Sequence, residues 1–148
     1  MSSDAIVVGT DGSATAELAV DRAAELARAL GARVHVVMAY SLGSAGAWMG
    51  AAAGMGMAAP ADDGTWQQAA QEIVDRTSAR LKRQGIQVVT RVCQGEPAEV
   101  LMTIAGEEHA QMIVVGNRGM AGARRVLGSV PNRVSHHARC GVLIVPTS

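Results

Sequence analysis

At 148 residues the chain has the size of one domain, and 49% hydrophobic residues supply enough material for a sizeable core. With no Phe and only 2% aromatics, that core must be built from Val, Ala, Leu, Ile and Met. Lys and Arg total 13 against 13 Asp and Glu, so the zero formal charge argues against a nucleic-acid or membrane-surface partner.

The N-terminus reads as a short buried strand, Ala5 to Gly9, followed by a turn, Thr10-Asp11-Gly12, and a helix N-cap at Ser13. Leu18, Ala19, Ala23, Leu26, Ala27 and Leu30 then recur at helical spacing, and Gly31 stops that helix. Val34 to Tyr40 is the second strand. Asp11 sits where the first strand gives way to the first helix, the ligand-facing edge of an open parallel sheet. It is either a turn residue satisfying its own backbone or a ligand contact.

From Leu42 to about Thr65 the composition changes to Gly, Ala and Met. This stretch reads as a flexible insert, with a lid over the neighbouring sheet edge as the alternative. Helical spacing resumes from Asp62 to Gln84, carried by Trp66, Ala69, Ala70, Ile73, Thr77 and Leu81. Ile86 to Val92 is the third strand. Glu96-Pro97 starts the third helix, with Val100, Leu101, Ile104 and Ala105 on its buried face.

The most informative stretch runs from Gln111 to Pro146. A β-branched strand, Met112 to Val115, leads into a glycine-rich loop beginning Gly116-Asn117-Arg118-Gly119. Gly128-Ser129 then opens a helix with Ser129 as its N-cap, and Val142 to Val145 is the last strand. Strand, glycine loop and helix start together suit an anion. Glycines let backbone N–H groups turn inward, and a helix N-terminus adds free N–H groups and its dipole. An ordinary strand-to-helix connection would use the same residues. The loop is not a P-loop, since the only lysine is Lys82.

These residues resemble the universal stress protein family. The likeness is carried by Ile6-Val7-Val8-Gly9-Thr10-Asp11-Gly12-Ser13, by Gly116-x-x-Gly119 followed by Gly128-Ser129-Val130, and by VSHHARCGVLIVP near the end. Between Gly119 and Gly128 lie eight residues, one fewer than in the family's nucleotide-binding branch.

Five strands alternating with four helices argue for an α/β fold, a parallel sheet with helices on both faces. The resemblance implies a Rossmann-like open sheet of strand order 3-2-1-4-5, in one domain spanning residues 1–148. It also implies ATP binding with Mg²⁺. Gly9, Thr10, Asp11 and Ala39 would line the adenosine side. Val115, Gly116, Arg118, Gly119, Gly128, Ser129, Val130 and Pro131 would line the phosphate side. Family members dimerise through their last strand, which would be Gly141 to Val145 here, an apolar segment at a sheet edge.

Catalysis has weaker support. His136 and His137 point ~100° apart on a helix and have no carboxylate or thiol set for a metal. His35 reads as structural or surface, and Cys93 and Cys140 as free thiols in a reducing compartment. No general base stands near the glycine loop, so hydrolysis would be slow or nil. With no signal peptide and no apolar run of the ~20 residues that span a bilayer, the expected location is the cytoplasm. The expected role is a nucleotide-dependent regulator of a stress response. Cyclic AMP as ligand, or a nucleotide-free scaffold, are the alternatives, and an adenylate-forming enzyme is disfavoured by the loop after the first strand.

Overall fold

The structure is a computed structural model that describes residues 4–40, 63–117 and 128–147. In chain order the elements are β1 (Ala5–Gly9), α1 (Ala14–Leu30), β2 (Arg33–Tyr40), α2 (Asp63–Arg83), β3 (Val88–Gln94), α3 (Pro97–Glu107), β4 (Met112–Gly116), α4 (Ser129–His137) and β5 (Gly141–Val145). The strands form one sheet of order β3-β2-β1-β4-β5, with every neighbouring pair parallel.

Two apolar layers hold the helices to the sheet. On one face Ile6, Val8, Val34, Val36, Met38 and Val114 meet α1 and α2. On the other, Val7, Val37, Ile113 and Val115 meet α3 and α4 through Leu101, Ile104 and Val134. Strands buried on both faces cannot alternate between apolar and polar residues, which explains their continuous β-branched runs.

α1 packs through an alanine stripe. Ala19, Ala23 and Ala27 are buried, whereas Leu18 and Leu30, expected on that face, are 46% and 51% exposed. Val20 and Ala24 are buried beside these alanines, and Leu18 and Leu30 fall outside the contact. Gly31 ends the helix at φ 67°, a left-handed conformation suited to glycine. Between α1 and α2, Arg80 pairs with both Glu17 and Asp21, and Thr77 donates to Glu17 at 3.1 Å.

Two boundaries differ from expectation. β3 starts at Val88 and runs on to Gln94, where Cys93 and Gln94 continue the register against Ala39 and Tyr40. Ile86, counted as strand, instead closes the turn after α2 by donating its N–H to Leu81. The Gly/Ala/Met-rich insert lies outside the described residues except at its end, where α2 begins at Asp63.

Candidate functional site

In a parallel sheet each helix follows a strand, so all helix N-termini gather at the carboxyl edge of the strands. After β1 the chain passes into α1 on one face, and after β4 it passes into α4 on the other. The topological switch of the sheet therefore falls between β1 and β4, where open parallel sheets form a ligand crevice. Gly9, Thr10 and Asp11 stand on its β1 side. Gly116, Gly128, Ser129 and Val130 stand on its β4 side.

The β1 side is a turn braced by its own side chains and by β2. Thr10 donates its N–H to Val37 at 2.9 Å, extending the sheet by one residue, and its hydroxyl accepts from Gly12 at 3.1 Å. Asp11 Oδ1 accepts the Ser13 N–H at 2.9 Å, so the turn reading of Asp11 is realised with one carboxylate oxygen. Gly12 takes φ 82° to complete the bend. Beneath the turn the chains approach closely. A Cβ at Gly9 would lie 3.0 Å from the Leu101 side chain, which itself is buried.

The helix N-termini along this edge differ in how they are capped. Ser13 caps α1 by accepting from Ala16 at 3.1 Å. Glu96 caps α3 by accepting from Ala98 at 3.2 Å and Glu99 at 3.0 Å, and Arg133 pairs with Glu96 and Glu99. α4 has no side-chain cap. Its N-cap is Gly128, not Ser129 as expected, and Ser129 is the first helical residue. Gly128 holds the extended conformation of an N-cap, φ −59° and ψ 161°, which displaces Ser129 by one position.

Counting N–H groups at α4 shows what remains for a ligand. Gly128 donates to Asn117 and Asn132 donates to Gly128, each at 3.0 Å. Pro131 has no N–H. Ser129 and Val130 are left, and among the described residues neither N–H has an acceptor. The Ser129 hydroxyl, freed from capping, lies on the exposed side of the same turn. Two free N–H groups, a hydroxyl and a helix dipole in one turn suit a phosphate.

The remaining expected residues contribute in other ways. Val115 is 4% exposed and its side chain belongs to the core, so only its main chain could reach a ligand. Pro131 is buried against the protein. Ala39 lies on β2 in register with Cys93 and is half-buried. Arg118 and Gly119 lie outside the described residues.

Asn117 was missed by sequence reasoning. It follows Gly116 directly, but its side-chain partner, Thr147, is 30 residues away, and no local signal reports such a contact.

The histidines do not assemble a catalytic group. His136 and His137 are both exposed, with ring centroids 6.4 Å apart. His35, read as structural or surface, is 2% exposed on β2. Its ring nitrogens have no hydrogen-bond partner, and Nε2 stands 3.8 Å from Glu108, too far for a hydrogen bond.

The universal stress protein family model matches residues 3–146. The chain belongs to the universal stress protein family. Universal stress protein Rv1636 of Mycobacterium tuberculosis (strain ATCC 25618 / H37Rv) is 38% identical over 145 residues, covering 97% of this chain and 96% of the relative. A universal stress protein solved in complex with cAMP superposes with a TM-score of 0.70 at 33% identity, over 100% of both chains. One from Archaeoglobus fulgidus in complex with dAMP gives 0.67 at 27% identity, over 94% of each. The family and the strand order expected from the sequence are thus both found. Among the described residues no helix is long and apolar enough to cross a membrane.

Proposed function

We propose that the crevice between β1 and β4 binds an adenine nucleotide, and that the chain acts as a nucleotide-dependent regulator in a stress response. The observation that carries this reading is the uncapped N-terminus of α4. Ser129 and Val130 offer N–H groups, and the Ser129 hydroxyl offers a further donor, to a phosphate at the crevice. The free oxygen of Asp11 would accept from a ribose hydroxyl or the adenine amino group. The solved relatives that hold cAMP and dAMP support the same ligand class.

ATP is the ligand this reading takes first, from the resemblance to the family's nucleotide-binding branch, with the interval between Gly119 and Gly128 one residue shorter than in that branch. Its Mg²⁺ would be held mainly by phosphates and water. Among the described residues no group of three His, Cys, Asp or Glu side chains assembles that could hold an ion. Cyclic AMP is the second reading, favoured by the cAMP-bound relative and by a helix turn whose two free N–H groups match a single phosphate. Turnover of either ligand is slow or nil in this account.

The working form is a homodimer paired through β5, whose Val142, Leu143 and Ile144 are half-buried at the sheet edge. We place the protein in the cytoplasm, where its two free cysteines would stay reduced.

The test is to denature the purified protein, identify any released nucleotide by chromatography, and titrate ATP and cyclic AMP into the emptied protein by calorimetry. Saturable binding of either supports the reading, and the tighter ligand decides between the two. Absence of both retained nucleotide and binding heat would leave a nucleotide-free scaffold as the better account.

A further inference from the structure

Asn117 joins three parts of the chain that meet at the crevice. Its N–H donates to Val145 at 2.9 Å, continuing the β4–β5 ladder, and its carbonyl accepts from Gly128 at 3.0 Å. Its Oδ1 accepts twice from Thr147, from the main-chain N–H at 3.1 Å and from the hydroxyl at 2.8 Å. Thr147 is only 6% exposed, so both of its donors depend on this one oxygen for a protein acceptor.

The contrast with the β1 side is informative. There the Thr10 and Asp11 side chains accept from N–H groups two residues away, within the same turn. On the β4 side the equivalent fixing is done across 30 residues of sequence, by the last described residue of the chain. The Asn117–Gly128 bond ties the end of β4 to the start of α4, directly beside the free N–H groups of Ser129 and Val130.

We propose that Asn117 is a positioning residue of the nucleotide site, which holds Gly128 at the start of α4 and links phosphate binding there to the order of Thr147. The inference rests on the adenine-nucleotide reading above. A phosphate seated on the first turn of α4 holds the Gly128 peptide in place and thereby strengthens the Asn117 anchor. Coupling of this kind is reciprocal, so releasing Thr147 weakens the ligand.

The test uses calorimetric titration of ATP and cyclic AMP into the wild type, Asn117→Ala and Thr147→Val, with amide hydrogen exchange at Thr147. Thr147→Val removes only the hydroxyl that donates to Asn117 and keeps the side-chain shape, so it guards against a simple failure to fold. Asn117→Ala is expected to weaken binding about tenfold and Thr147→Val about threefold, as loss of one or two hydrogen bonds would. Nucleotide should slow Thr147 exchange in the wild type and leave it unchanged in Asn117→Ala. A purely structural role would not make that exchange respond to ligand. Wild-type protein that binds no nucleotide overturns the underlying reading, and this inference with it. Wild type that binds, with both variants binding equally well or Thr147 exchange indifferent to ligand, overturns the inference alone.

Discussion

Asp11 accepts the Ser13 N–H at 2.9 Å through Oδ1 alone. One oxygen of the carboxylate therefore builds the turn, and the other is the one assigned to the nucleotide in the proposed site. The two roles that the sequence leaves as alternatives are compatible in one side chain. Asp11→Asn can keep the turn acceptor while losing the charge. It should change stability by no more than about 0.5 kcal/mol but weaken nucleotide binding roughly tenfold. Asp11→Ala should lose both, with a lower urea midpoint as well. Equal nucleotide affinity in all three proteins would remove Asp11 from the site.

Ser129 supplies a variant in which stability and binding move in opposite directions. The first turn of α4 carries no acidic residue, so Ser129→Asp places a negative charge where the helix dipole favours one. The fold should gain about 0.3–1 kcal/mol, read from the urea midpoint. The same charge occupies and repels the phosphate position, so ATP and cyclic AMP binding should fall at least tenfold. A variant that is stabilised and still binds nucleotide normally would mean the phosphate sits elsewhere.

His35 makes the fold sensitive to acid. Burial lowers its pKa below the ordinary 6.5, against the pull of Glu108 and with the help of Arg33 and Arg91. A histidine held neutral in the folded state protonates first in the unfolded chain. Its effect is therefore nil above pH 6.5, and stability is lost as pH falls below that value toward the lower folded pKa. His35→Leu removes this term, so its urea midpoint relative to wild type should rise between pH 7.5 and pH 5.5. Parallel midpoints over that range would show that His35 does not titrate differently on unfolding.

The β5 edge carries the proposed dimer. Val142→Asp adds a charge to a half-buried apolar edge strand, and sedimentation should report monomers where the wild type gives dimers. Far-UV circular dichroism checks that the variant folds. A folded variant that remains dimeric places the interface on another surface.

Most of the fold was legible because its signals are local. The β-branched runs marked β1, β2, β4 and β5, and Gly31 and Glu96-Pro97 marked a helix end and a helix start. What escaped was set by packing. Leu18 and Leu30 outrank alanine in hydrophobicity, yet Ala19, Val20, Ala23, Ala24 and Ala27 make the buried face of α1, a choice of stripe that helical spacing alone does not settle. His35 reads as structural or surface because alternation does not separate the two in a strand covered on both faces, and the structure buries it. Asp11 and Ser129 were legible as residues at the end of β1 and the start of α4, on the edge where the site is proposed. The one-residue shift of the α4 cap and the Asn117–Thr147 contact required three-dimensional structure, the second because its partners are distant in sequence.

The central claim is that the crevice between β1 and β4 receives an adenine nucleotide with its phosphate on α4. The most direct measurement is an amide NMR titration of the labelled, emptied protein with ATP and with cyclic AMP. The account predicts saturable shifts that are largest at the Ser129 and Val130 amides, accompanied by Thr10 and Asp11. Shifts that never saturate, or that gather away from these four amides, would contradict it.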